Sequence, residues 1–245
     1  MFKRLQRWDG RIALVTGASS GIGRATAVVL GRLGMRVAVT GRDADRLEQT
    51  ATIVNESGGE GFAIDGDLRS PETPNAILSR IKELWGSPDV LINNAGVTGG
   101  GKFLETDPSV VESCFAVNLE AASRCIREAV TAMSDKEEAV IVNVSSLAAY
   151  RLVPGRGSAA YAASKHALRA FTEGVRGELA ESKSRIRLCT VSPGLVDTEF
   201  HESIEMFGYR PLSPDDVAEA VVYILSTPPH VVVQDILLKS IEQIV

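Results

Sequence analysis

Short apolar runs rich in β-branched residues alternate with longer amphipathic stretches along the whole chain, and no other feature limits the fold so strongly. The runs read as strands at Arg11–Thr16, Arg36–Thr40, Gly61–Asp65, Asp89–Asn93, Ala139–Ser145, Arg185–Ser192 and near Val231–Lys239. Between them, a helix opens at Gly21, and others cover Asp43–Ser57, Pro71–Trp85, part of Pro108–Met133, and Ala159–Ser182. Strands of continuous apolar character separated by helices predict a parallel sheet covered on both faces. Right-handed crossovers then give an α/β, doubly wound, Rossmann-like sheet of about seven strands. No linker, repeat or low-complexity tract interrupts the pattern. The reading is one domain over 1–245, with a cofactor half at about 9–150 and a catalytic and substrate half at about 140–245.

Bulk properties narrow the function. A net charge of −5 offers no electrostatic footprint for nucleic acid. No run approaches the ~18 consecutive apolar residues of a spanning helix. The first eight residues, Met1 to Trp8, carry charge without an apolar stretch behind it, so they do not read as a secretory signal, and they are too few to read as a docking helix. Cys114, Cys125 and Cys189 lack CxxC spacing and read as reduced, buried small hydrophobes of a cytoplasmic protein.

The first strand runs into Thr16-Gly17-Ala18-Ser19-Ser20-Gly21-Ile22-Gly23, at the start of a helix. Gly17, Gly21 and Gly23 permit a tight turn and close backbone approach to a pyrophosphate, whose charge suits a helix N-terminus. The second strand ends in Gly41-Arg42, where an NAD enzyme usually carries a carboxylate for the ribose 2′-hydroxyl. Arg42 instead offers a planar cation for a 2′-phosphate, and Asp43 falls one residue too late and reads as a helix cap. The sequence therefore favours NADP(H) over NAD(H).

Tyr161 and Lys165, four apart on a helix, share one face. A free tyrosine, with pKa about 10, is a poor acid–base group at neutral pH, and a neighbouring ammonium favours its phenolate. The same lysine is placed to grip a nicotinamide ribose. Ser145 and Ser146 end the fifth strand on the ligand-binding side of such a sheet, and a hydroxyl there would hold a substrate oxygen. Asn118 sits inside a helix, where asparagine is disfavoured, which hints at a role beyond the surface. His166, His201 and His230 have no metal-ligand spacing.

In this order and over almost the whole chain, these motifs resemble the short-chain dehydrogenase/reductase family. The resemblance implies that the turn from Thr16 to Gly23, with Gly17, Ser19, Ser20, Gly21, Ile22 and Gly23, binds pyrophosphate. Asp67 and Leu68 would contact adenine, and Asn94, Ala95 and Gly96 of the Asn93–Gly96 stretch would border the cofactor. Pro193, Gly194 and Val196 would lie beside the nicotinamide, with Thr198 touching its carboxamide. Asn118, Ser146, Tyr161 and Lys165 would form the proton relay.

Two departures stand out. The interval from Ser146 to Tyr161 is longer than usual, with Val153–Ser158 as an insertion, so Ser145 stays open as the substrate-binding hydroxyl. The tail lacks the family's DGG ending and, with Gln243 near its end, resembles a branch around dehydrogenase/reductase member eleven, which implies ketosteroids or other carbonyls as substrates. The pocket is expected from Thr98–Phe103, the insertion, and Glu199–Arg210, with Phe200, Ile204, Met206, Phe207 and Tyr209 as an apolar lid. Gly174 and Gly177 in the Tyr161 helix would let a second subunit approach, and the resemblance implies a homo-oligomer, dimer or tetramer. The implied activity is NADP(H)-dependent hydride transfer between nicotinamide and a carbonyl or secondary alcohol. The alternative is a non-catalytic NADP-binding sensor or scaffold.

Overall fold

Every residue of Ile12–Thr16 (β1) is buried, as a strand covered on both faces must be. The computed structural model describes residues 2–152, 159–200 and 208–244. Over these, β1 is joined by Arg36–Gly41 (β2), Glu60–Asp65 (β3), Val90–Asn93 (β4), Ala139–Val144 (β5), Ile186–Pro193 (β6) and Asp235–Leu238 (β7). The strands form one seven-stranded parallel sheet in the order β3-β2-β1-β4-β5-β6-β7. The order reverses between β1 and β4, where a doubly wound sheet opens a crevice at its carboxyl edge.

The helices are Phe2–Leu5 (α1), Gly21–Arg32 (α2), Ala44–Glu56 (α3), Thr73–Leu84 (α4), Pro108–Phe115 (α5), Ala122–Ala132 (α6), Ala159–Glu181 (α7) and Pro214–Ser226 (α8). Alternation along each strand sends side chains to opposite faces. Ala13, Val15, Val37, Val39, Val90 and Ile92 meet Leu30 of α2, Leu47 and Val54 of α3, and Val221 and Ile224 of α8. Ile12, Leu14, Ala38 and Leu91 point the other way, onto Ile77 and Ile81 of α4, Ile126 and Ala129 of α6, and Leu179 of α7. Asp43 caps α3, accepting a hydrogen bond from the Arg46 amide at 3.1 Å, as the sequence indicated.

Two features were not foreseen. The helix expected within Pro108–Met133 is interrupted by a π-helical segment, Ala116–Ala121, which joins α5 to α6 and carries Asn118. The N-terminal segment packs onto the body of the protein itself. Leu5 and Trp8 are buried, and the Trp8 indole donates to the Leu225 carbonyl at 2.9 Å at the end of α8.

Candidate active site

A cavity of about 720 Å³ opens at the carboxyl edge of the sheet, walled by the ends of β1, β4, β5 and β6 and the start of α7. Its first wall is the glycine turn. Gly17 has φ +63°, and a Cβ there would lie 2.8 Å from the Ala95 Cα, so a side chain would force the β1 and β4 ends apart. A Cβ on Gly23 would overlap the Gly17 carbonyl. Ser20 is the N-cap of α2 but makes no side-chain cap, which leaves the first-turn amides at Gly21 and Ile22 for a ligand in the cavity. Thr16 locks the turn by accepting from the Asn94 and Ala95 amides at 2.9 and 3.0 Å. The Asn94 side chain donates to the carbonyls of Thr16 and Gly17, at 2.9 and 3.0 Å.

Gly41, Arg42, Gly66, Asp67, Leu68 and Arg69 form the next wall. Arg42 is exposed and makes no ion pair among the described residues, so its guanidinium is available to an anion in the cavity. Asp67 is engaged by Arg69 at 2.5 and 2.9 Å, and that guanidinium holds its carboxyl below the usual carboxylate range. Arg69 was not singled out from the sequence, nor was the ion pair between Arg46 and Glu199, at 2.5 Å, which ties α3 to the segment after β6. A contact across 153 positions leaves no local signal in a sequence.

The inner wall gathers Ser145, Ser146, Tyr161 and Lys165. Ser146 caps the short turn Leu147–Ala149, accepting from the Ala148 amide at 3.1 Å, and its hydroxyl also bonds to Tyr161. The Ser145 Oγ is buried and has no hydrogen-bond partner among the described residues. Lys165 Nζ lies 5.6 Å from the centre of the Tyr161 ring and donates to the Val144 carbonyl at 3.3 Å. Burial pushes the Tyr161 phenol up to about 12, against the pull of the Ser146 bond, and draws the Lys165 ammonium down to about 8.

Asn118 stands behind this wall. Its amide is clamped to Val97, with Oδ1 accepting from the Val97 N–H at 2.8 Å and Nδ2 donating to the carbonyl at 3.0 Å. Nδ2 also reaches Ser164 Oγ at 3.1 Å, and Ser164 donates to the Tyr161 carbonyl at 2.7 Å. The π segment and the Tyr161 turn are thereby joined. A Cβ on Gly96 would lie 3.4 Å from Asn118 Oδ1 and 3.7 Å from Lys165 Nζ, so all three converge.

Pro193, Gly194, Val196 and Thr198 supply the opposite wall, and Thr198 packs so closely on Gly21 that a Cβ there would meet it at 2.9 Å. Phe200 and Tyr209 line the cavity, the Phe200 ring 5.8 Å from that of Tyr161. Ile204, Met206, Phe207 and the Val153–Ser158 insertion lie outside the described residues. The stretch Thr98–Phe103 does not line the cavity, contrary to expectation. Gly99 presses on the start of α7, where a Cβ would sit 2.5 Å from the Tyr161 nitrogen, and the chain turns outward into the exposed Phe103–Glu105 turn.

Three comparisons with known proteins bear on this site. Residues 11–207 match the model of the short chain dehydrogenase family. The bovine (Bos taurus) protein called dehydrogenase/reductase SDR family member 11 is 36% identical over 256 residues, covering 98% of this chain and 100% of the relative. Farnesol dehydrogenase of Aedes aegypti is 34% identical, covering 97% and 98% of the two chains. The X-ray structure of an alcohol dehydrogenase from Thermococcus sibiricus, complexed with 5-hydroxy-NADP, is similar with a TM-score of 0.86 at 28% identity, covering 96% and 98%.

Proposed function

The chain belongs to the short-chain dehydrogenase family, and from that premise we propose an NADP(H)-dependent oxidoreductase that interconverts an apolar ketone or aldehyde and its alcohol. The observation that carries this reading is the Ser146–Tyr161–Lys165 group, with a phenol held in its protonated form on the wall of a cavity that begins at a helix N-terminus. The cradle fits a dinucleotide. Gly17 and Gly23 let the turn close tightly against Asn94 and Ala95, where any Cβ would collide, and Ser20 leaves the α2 amides to a phosphate.

Gly17, Ser19, Ser20, Gly21, Ile22 and Gly23 would hold the pyrophosphate, and Asp67 and Leu68 the adenine. Asn94, Ala95, Gly96, Pro193, Gly194, Val196 and Thr198 would border the rest. When bound, the nicotinamide supplies or takes up the hydride. Tyr161 gives its proton to the carbonyl oxygen as charge develops there, and Ser146 donates a second hydrogen bond to that oxygen. Lys165 stabilises the phenolate left behind, and Asn118, clamped to Val97 and Ser164, would link Lys165 to solvent through a water. Phe200 and Tyr209 suit an apolar substrate, and the name of the mosquito relative, farnesol dehydrogenase, points the same way. NADPH consumption across ketosteroids, aromatic ketones, quinones, diketones and aliphatic aldehydes tests the reading. Reduction of at least one class supports it, whereas tight cofactor binding with no class reduced favours a sensor.

Arg42 is the proposed selector for NADP(H), a reading supported by its freedom from ion pairs among the described residues and by the 5-hydroxy-NADP of the Thermococcus enzyme. A charged hydrogen bond contributes ~1.5–3 kcal/mol, so Arg42→Ala should raise the KM for NADPH roughly ten- to hundredfold and leave that for NADH nearly unchanged. Equal effects on both cofactors would rule Arg42 out as the selector. A homo-oligomer through α7 is also proposed, since Gly174 and Gly177 have open space above them and Phe171 is exposed nearby. A solution mass of a single 26.2 kDa chain would contradict it.

A further inference from the structure

The C-terminal segment after β7 reaches back to the turn that follows β6. In that turn Pro193 has no N–H to donate, and Gly194 has the most conformational freedom to lose, so the turn needs outside support to hold one shape. The tail supplies it. The Leu238 carbonyl, at the very end of β7, accepts from the Gly194 amide at 2.8 Å, and beyond it Gln243 Oε1 accepts from the buried Leu195 amide at 3.1 Å. Gln243 is only 8% exposed, and its own backbone is tied down, with its N–H donating to the Ser240 carbonyl at 3.1 Å and its carbonyl accepting from Lys239 Nζ at 2.5 Å. A Cβ on Gly194 would overlap the Gln243 amide, so the two are fitted face to face. Next along, Glu242 accepts from the Arg210 amide at 3.1 Å. The segment thus braces both feet of the loop that leaves at Leu195 and returns at Leu212, feet that are themselves joined through a Val196–Leu212 bridge.

We propose that Gln243 is a positioning residue for the nicotinamide half of the cofactor, acting through the Pro193–Leu195 turn; the inference rests on the NADP(H) reading above. Gln243 and the turn border one cavity, and Gln243 also holds the Leu195 amide, so it fixes the backbone against which that half would lie. The adenosine end, at Arg42 and Asp67, has no hydrogen bond to the tail among the described residues. An effect on one half of the cofactor without the other is therefore the signature of positioning rather than of general loosening.

The test is a pair of titrations, with NADPH and with 2′,5′-ADP, which carries the 2′-phosphate and adenosine but no nicotinamide. Gln243→Leu keeps the bulk and removes the acceptor. It should weaken NADPH on the order of tenfold and lower kcat, leaving 2′,5′-ADP affinity unchanged. Gln243→Glu, which restores an acceptor oxygen, should recover NADPH binding. If the leucine variant does not fold, Gln243→Asn, one methylene too short to reach, should give the same split. Equal weakening of both nucleotides, or no change in either, overturns the proposal. A wild-type protein that binds neither nucleotide overturns the cofactor reading, and this inference with it.

Discussion

Tyr161→Phe is expected to cut turnover about 10²–10⁴-fold, the usual contribution of a positioned general acid, while NADPH affinity stays within a factor of about two. Only the hydroxyl is removed; the ring stays against Phe200 and beneath Lys165. The pH dependence tests the same group. Burial holds the phenol near 12, so Tyr161 is in the acid form through neutral pH. Carbonyl reduction uses that form, and its rate should show no acid-side loss from Tyr161 and should fall as pH climbs. Alcohol oxidation needs the phenolate, so its rate should rise with pH, then flatten above about 8, where Lys165 loses the charge that favours phenolate. Full activity in the phenylalanine variant, or oxidation that declines between pH 6 and 8, contradicts Tyr161 as the proton group.

Arg187→Leu should be the most destabilising single change away from the cavity. Arg187 sits in β6, 2% exposed, where every residue is buried. Its guanidinium pairs with Glu138 at 2.7 Å and donates to Thr227 Oγ1 at 2.7 Å and to the Val231 carbonyl at 3.2 Å. Glu138 is also held by Arg7 at 2.9 Å, and Arg7 donates to the Leu225 and Thr227 carbonyls at 2.8 and 2.6 Å. One cluster thus joins the N-terminal segment, the edge of β5, β6 and the end of α8. Losing Arg187 leaves Glu138 to Arg7 alone and strips the buried Thr227 hydroxyl and the Val231 carbonyl of a charged donor. With charged hydrogen bonds contributing ~1.5–3 kcal/mol each, the cost is about 3 kcal/mol, which corresponds to a fall of roughly 10 °C in Tm for a chain of this size. Arg7→Leu should cost less, about 1 kcal/mol, since Arg7 is partly exposed and Arg187 still satisfies Glu138. Urea unfolding of both variants checks the ranking. A loss below about 1 kcal/mol for Arg187→Leu would show that the cluster does not hold these elements together.

Arg187 illustrates what the sequence conceals. The fold was legible because continuous apolar strands, buried on both faces, alternate with amphipathic helices, and the turns carry glycine or caps at fixed offsets. That Tyr161 and Lys165 share a face followed from helical spacing, and their place beside the cavity from the helix that follows the fifth strand. Other residues act through partners distant in sequence, and no local pattern marks them. A lone arginine in an apolar strand looks like an interruption until Glu138 and Arg7 are seen around it. Trp8 gave no periodic signal because its segment is too short to have one. Asn118 was noticed for its poor helix propensity, but the π segment that accommodates it depends on Val97 and Ser164, both far along the chain. The pocket-facing role expected of Thr98–Phe103 failed for a packing reason, the close fit of Gly99 against α7.

If this cavity moves hydride from a nicotinamide to a carbonyl carbon with Tyr161 supplying the proton, a label on the hydride must reach the alcohol. The most direct measurement uses NADPH deuterated at the transferable ring position, a ketone that the wild-type protein consumes, and mass analysis of the alcohol formed. One deuterium on the carbinol carbon, lost along with turnover in Tyr161→Phe, is the expected result. NADPH that binds and stays unconsumed with every carbonyl offered, or an alcohol formed without label, would contradict it.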